Sequence, residues 1–385
     1  MAPHRLRGST CIVGTAESDL GRVPDDMSIY DLMGQATHRA LQDSGLQLKD
    51  IDAVFVAASQ SRMAALSLCE YLRIQPRYFD STQIGGSSFM AHLTHAMGAI
   101  EAGLCSVALI AYGSTQRSVT RAAASAREPN PYEDPYRPVM PISAYALAAS
   151  RHMYEFGTTR EQLAEVAVAA RQWALMNPVA WEKEPLSIED VLSARMVSAP
   201  FTVRDCCLVT DGGGAILLTT PERARDLDVT PVYVLGTGEH LSHAAISGMP
   251  DLVRTGAAVS GPEAFAMAGV RPGDIDMLSL YDAFTINPIL FLEDLGYCAK
   301  GEGGPFVADG RIAPGGSLPV NTSGGGLSYC HPGMYGLLVL IEAVRQVQGV
   351  CGDRQVPDCR LALAHGNGGV LSSQCTVILG AKETV

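Results

Sequence analysis

Two stretches of the 385-residue chain, 224 positions apart, share one order of residue types. GLQLKDIDAVFVA (Gly45 to Ala57) matches GVRPGDIDMLSLYDA (Gly269 to Ala283), with Asp50-Ile51-Asp52 falling on Asp274-Ile275-Asp276. Each copy follows an Ala-rich stretch with helical spacing, stops at a glycine, turns, and ends in a short apolar run. Both therefore read as helix, glycine stop, turn and buried strand. A second match pairs VALIAYGS (Val107 to Ser114) with LALAHGNG (Leu361 to Gly368), setting Tyr112-Gly113 against His365-Gly366. Late strands close both halves, in DGGGAILLTT and in the GGVLSSQCTVILG end. A duplicated alternation of helix and strand predicts an α/β fold with mostly parallel, buried strands.

The two halves divide the chain at residues 1–225 and 226–385. The first is interrupted at about 115–200 by a segment that opens polar and Pro-rich and then turns helical. It reads as an insertion covering one end of the first sheet. Arg117, Arg121, Arg127 and Arg137 make it the most basic part of the chain, as a solvated loop or as a contact to a ligand phosphate.

With 47% apolar residues and 18% charged, the chain has the balance of a folded protein. A net charge of −12 argues against a nucleic-acid or anionic-membrane partner, which needs a basic face. No apolar run is long enough for a membrane span, and the N-terminus lacks the apolar core of a secretory signal. The ten cysteines form no CxxC pair, so no metal site is expected, and a reducing cytoplasm suits them.

Three Gly-rich turns and one strand end carry the candidate chemistry. Gly85-Gly86-Ser87 enters a helix and can turn backbone N–H groups toward an anion or a carbonyl oxygen. The run from Asn321 to Gly333 gathers an amide, the Tyr329 phenol, the Cys330 thiol and the His331 imidazole, and Pro332 keeps His331 off helical geometry. His365-Gly366-Asn367-Gly368 follows a buried strand, at the carboxyl edge where open α/β sheets build their sites. Tyr281-Asp282-Ala283-Phe284 ends the repeated strand, with Asp282 readable as a turn or N-cap acid.

These elements resemble the thiolase superfamily over nearly the whole chain, in the lipid-transfer or sterol-carrier-type branch. The resemblance implies a thiolase-like fold, two duplicated halves in a five-layer αβαβα arrangement, with an inserted loop domain that binds coenzyme A. It also implies at least a homodimer. Members use a Cys-x-Ser-Gly turn, an Asn-Glu-Ala-Phe element, a Gly-His-Pro element and a C-terminal Cys-x-Gly-Gly-Gly element. Here Gly85 takes the place of the nucleophilic cysteine, Tyr281 that of the asparagine, and His365 that of the second cysteine; His331 is kept. A Claisen-type transfer needs a thiolate, which glycine cannot supply. A retro-aldol cleavage needs only enolate stabilisation and proton handling.

The resemblance thus points to the steroid side-chain-cleaving aldolases, which split a β-hydroxyacyl-CoA together with a small OB-fold partner subunit. On that reading Tyr281 and Tyr329 handle protons, His331 holds the enolate oxygen and His365 assists. Gly85, Gly86, Ser87, Asn321 and Gly368 are the candidates for holding the CoA thioester, with neither metal nor redox nucleotide. An acyltransferase using Cys330 beside His331, and a non-catalytic acyl-CoA or lipid-binding protein, are the alternatives.

Overall fold

A computed structural model describes residues 4–119 and 130–385. Arg121 and Arg127 lie outside the described residues. The strands are β1 (Cys11–Glu17), β2 (Ala53–Val56), β3 (Tyr78–Asp80), β4 (Val107–Ser114), β5 (Met196–Ser198), β6 (Phe201–Thr202), β7 (Gly212–Thr219), β8 (Val232–Leu241), β9 (Met277–Leu280), β10 (Leu361–Gly368) and β11 (Ser373–Gly380). β5 and β6 form a small hairpin in the insertion, and the other nine form one sheet ordered β3-β2-β4-β7-β1-β8-β11-β10-β9.

That order is two copies of one pattern, β1-β7-β4-β2-β3 and β8-β11-β10-β9, with a Leu278–Val320 bridge standing in for the last strand. The halves join where β1 meets β8 through Cys11 opposite Tyr233 and Ile12 opposite Val232.

The repeated residues do the same work in both copies. Gly45 and Gly269 end their helices in the left-handed region, at φ 72° and 69°, where a side chain would be strained. Asp50 and Asp274 each accept a hydrogen bond at 2.8 Å from the backbone N–H three residues before, at Gln47 and Arg271. Asp52 accepts from the N–H groups of Ser106 and Val107, and Asp276 from those of Arg360 and Leu361, so each ties the start of β4 or β10 to the neighbouring strand.

Two expectations shift here. β2–β3, β2–β4 and β9–β10 are parallel, but β1–β7, β4–β7, β8–β11, β10–β11 and β1–β8 are antiparallel, so the sheet is mixed. The reason is the connection after β10: the short turn at residues 369–372 can only reverse the chain. β4 and β7 form the equivalent ladder, with the insertion in place of that turn. The sequence pairing of Tyr112 with His365 is also one residue out. Val56 lies opposite Ala111 and Leu280 opposite His365, so Ala111 is the counterpart of His365. A slip of one residue exchanges the two faces of a strand.

The helix Ile29–Ser44 covers β1, β4 and β7 outside one half, and Ala257–Ala268 covers β8 and β11 outside the other. The helices Ser88–Glu101 and Gly336–Gln348 lie between and touch strands of both halves, which makes five αβαβα layers. Close packing is bought with strand glycines: a Cβ on Gly14 would stand 2.4 Å from the Ala40 carbonyl oxygen, and one on Gly236 2.1 Å from that of Ala264. Among the described residues no helix is long and apolar enough to cross a membrane.

The helices of the insertion pack on the second half rather than over the first sheet. The Tyr145 ring lies 4.4 Å from Phe284, His152 bonds Glu293 at 2.9 Å, and the Trp173 indole donates to the Ile312 carbonyl. Arg117, at its start, lays its guanidinium 4.6 Å over the Trp181 ring and donates to the Val209 carbonyl.

Candidate functional site

The turn Gly325–Tyr329 winds as one π-helical turn before His331. Gly324 and Gly325 sit at φ 101° and 62°, and a Cβ on Gly325 would lie 2.0 Å from the Asp282 carboxylate. Asp282, at the end of β9, accepts from the Gly326 N–H at 2.6 Å and the Leu327 N–H at 3.4 Å. The acid that reads locally as a turn cap therefore secures a distant turn. Burial raises its carboxyl to about 7 against the lowering effect of those N–H groups.

His331 is fixed through its backbone. Its N–H donates to the Thr210 hydroxyl at 3.0 Å, and its carbonyl accepts from the Gln116 amide at 2.8 Å. The ring is buried, its Nε2 has no partner, and burial lowers it to about 4, so it is neutral at pH 7. The Tyr281 ring meets it edge-on with centroids 5.6 Å apart, and the Tyr335 ring stacks on it at 5.7 Å. The Tyr281 hydroxyl donates to the Gly333 carbonyl at 2.9 Å and accepts from the Tyr335 N–H at 3.2 Å. Burial pushes both phenols well up from the ordinary range.

The glycines at the first turn have different parts. Gly85, at φ 78°, would bring a Cβ 2.7 Å from Gly368 Cα, so a side chain there runs into backbone. A Cβ on Gly86 would stand 2.1 Å from Tyr281 Cε2. The position whose missing side chain faces the phenol is thus Gly86, not Gly85. The Ser87 hydroxyl donates to the Ile84 carbonyl and contacts that of Ser373. Gly368 lets the Ile84 carbonyl oxygen come within 1.8 Å of where a Cβ would be. Gly85, Ser87 and Gly368 therefore form the seam between halves. Asn321, at φ 56°, accepts from the Leu280 N–H at 2.6 Å and splints β9.

Of three further expected side chains, two are engaged with other partners and one is shut in by burial. The Tyr329 hydroxyl donates to Glu17 at 2.8 Å, and Glu17 is held by the two terminal Arg345 nitrogens at 2.5 Å each. The phenol that stacks on His331 is Tyr335, four residues beyond it. Cys330 is buried, and desolvation, helped by Glu17, raises its thiol well above the usual range. His365 has both ring nitrogens engaged, with Thr376 at 2.9 Å and Gln374 at 2.8 Å, and burial lowers it to about 4. Sequence reading missed Tyr335 and Tyr145; the signal for Tyr335 was a phenol just past the His-Pro-Gly turn, at the mouth of a helix.

Residues 238–381 match the family model described as Thiolase C-terminal domain-like. An acetyl-CoA acetyltransferase of Methanothermobacter thermautotrophicus is 33% identical over 372 residues, covering 93% of this chain and 96% of that protein. A steroid side-chain-cleaving aldolase of Thermomonospora curvata is 30% identical over 400 residues, covering 98% and 99%. The solved structure of the Ltp2-ChsH2(DUF35) aldolase superposes with a TM-score of 0.88 at 28% identity, covering 99% of this chain and all of that one. With the duplicated halves and the His331 turn, these likenesses establish that the chain belongs to the thiolase superfamily.

Proposed function

We propose that the protein cleaves a β-hydroxyacyl-CoA, with a branched or steroid-like side chain, by a retro-aldol reaction without a cysteine nucleophile. The observation that carries this reading is the pairing of an unpartnered, buried His331 Nε2 with two phenols, where Gly86 offers no thiol. In the reaction the β-hydroxyl loses its proton, the Cα–Cβ bond breaks, and its electron pair becomes an enolate of the thioester. His331, as a neutral imidazole, donates a hydrogen bond to the oxygen that gains charge, an effect worth about 3–4 kcal/mol at an oxyanion-type site. The enolate carbon then takes a proton, leaving a ketone or aldehyde and a shortened acyl-CoA. Tyr281, held protonated by burial, suits the acid's part. Tyr335 takes the place beside His331 that the sequence suggested for Tyr329. Asp282 changes charge near neutral pH and lies against the same turn.

The test is incubation of the protein with a branched β-hydroxyacyl-CoA, alone and with the small OB-fold subunit that the family resemblance implies; the similar Ltp2-ChsH2(DUF35) aldolase is itself named with a second component. Release of ketone and shortened acyl-CoA supports the reading, and absence of turnover in both arms overturns it.

The acetyltransferase relative favours a second reading, acyl transfer, for which we keep Cys330, next to His331 in the chain, as the candidate nucleophile. Covalent labelling by acyl-CoA that disappears in Cys330→Ala would establish it. CoA-ester binding without product across several substrates would favour a binding protein. We place the protein in the cytoplasm and infer a homodimer through β3. That strand ends the sheet, with Met63 65%, Leu66 67% and Phe79 66% exposed beside it. An open apolar edge is suited to pairing with a second copy. Phe79→Asp should then give a monomer in light scattering.

A further inference from the structure

Tyr145 reaches the site region from outside either repeat, on the insertion helix Ile142–Phe156. Its ring packs on Phe284, which also stacks on Phe201 at 5.5 Å, so the phenol is fixed at the end of the Tyr281–Phe284 segment. It stands near enough to Tyr281 to raise that phenol further. Its oxygen ends a polar chain. His365 Nε2 lies 2.8 Å from Gln374 Oε1, Gln374 Nε2 donates to Asn367 Oδ1 at 2.8 Å, and Asn367 Nδ2 donates to the Tyr145 oxygen at 2.8 Å. An amide oxygen only accepts, so the His365 proton sits on Nε2 and each bond runs toward Tyr145. The Tyr145 hydroxyl keeps its own hydrogen to give, and at present gives it to the Gly369 carbonyl at 3.1 Å. Beside it lies Asn287, fully buried and close enough to favour the Tyr145 oxygen weakly, though neither Oδ1 nor Nδ2 makes a hydrogen bond of ordinary length and angle. A buried amide with no well-made hydrogen bond is costly unless a ligand or water meets it.

We propose that Tyr145 and Asn287 form a subsite for the β-oxygen of the acyl chain, and that His365, Gln374 and Asn367 are positioning residues that aim the Tyr145 hydroxyl. The inference rests on the reading that the substrate is an oxygenated acyl-CoA. Asn287 offers one donor and one acceptor, which matches a hydroxyl. When the Cα–Cβ bond breaks that oxygen becomes a carbonyl and only accepts. The Asn287 Nδ2 and the Tyr145 hydroxyl then both suit it as donors.

The experiment compares calorimetric binding of two CoA thioesters with one branched skeleton: a 3-oxoacyl-CoA, which has no β-hydroxyl to start a retro-aldol cleavage, and the saturated acyl-CoA. Wild type should prefer the 3-oxo ligand by about tenfold, as for one well-made buried hydrogen bond. Tyr145→Phe and Asn287→Leu should each cut the preference to about threefold or less while moving the saturated ligand less than about twofold. Asn367→Asp keeps the phenol but turns its donor into an acceptor; it should lower the preference likewise and provides the measurement if Tyr145→Phe fails to fold. An equal loss for both ligands, a preference that survives all three changes, or no preference in wild type overturns the subsite. Cleavage of the β-hydroxyacyl-CoA by wild type, alone and with the small OB-fold subunit, is followed in parallel. Its absence with the preference intact sinks the aldolase reading and leaves the subsite; cleavage without preference does the reverse.

Discussion

Replacing Gly86 with alanine tests whether the seat of Tyr281 depends on a missing side chain. The added carbon would lie 2.1 Å from Tyr281 Cε2, 2.7 Å from its Cζ and 2.7 Å from the Asn367 carbonyl oxygen. Ordinary contact begins at 3.4 Å, so the ring must retreat by more than an ångström. Its hydroxyl is tied to Gly333 and Tyr335, and the Gly86 carbonyl is itself pressed against Gly336, so neither side yields freely. Overpacking of this kind costs about 1–3 kcal/mol. Misplacing a reacting group by about 1 Å costs about 100-fold in rate. Gly98→Ala is the control: it lies exposed on the helix Ser88–Glu101 that the Gly86 turn leads into, with no atom within 4 Å of its added carbon. It should gain about 0.5–1 kcal/mol from helix propensity. Urea unfolding measures the stability change in both variants, and initial rates of ketone release measure the other. Wild-type stability and rate in Gly86→Ala, or an equal loss in Gly98→Ala, would refute the argument.

Other outcomes follow from the buried charges. Asp282, raised from 3.8 to about 7, binds a proton in the fold that the unfolded chain releases, so stability should fall as pH rises from about 4 to 7, by up to about 1.4 kcal/mol per unit. Asp282→Asn should flatten that slope in melts taken across the range. Glu17→Gln leaves the half-buried Arg345 guanidinium without its carboxylate and frees Tyr329, and should cost about 1–3 kcal/mol in chemical denaturation. Glu17 is held below its ordinary value, so its share of stability is present above about pH 4.5 and is lost as pH falls through the lowered value. Gly325→Ala should lose cooperative unfolding near the site, since its carbon would overlap the Asp282 carboxylate at a positive φ.

The chain's own order determined the duplication, because its markers act locally. A glycine at a helix end, an aspartate capping the next turn and a second aspartate leading a strand each work within a few residues or at one neighbouring strand, and so leave the same letters twice. The loss of a thiol at the first turn and the retention of His331 were legible only through the resemblance to the thiolase superfamily, whose motifs are short runs of sequence. Tertiary structure decided the rest. Tyr329 and Tyr335 are equally visible in the sequence, but the one ending the π turn reaches Glu17, while the other, at the start of the helix Gly336–Gln348, stacks on His331. Gly85 and Gly86 are neighbours of one type, and only the close approach of Gly368 and of the Tyr281 ring tells their parts apart. Tyr145 carries no local mark at all: it matters because an insertion of the first half packs against the second, and contact across that distance in the chain has no period or spacing to reveal it.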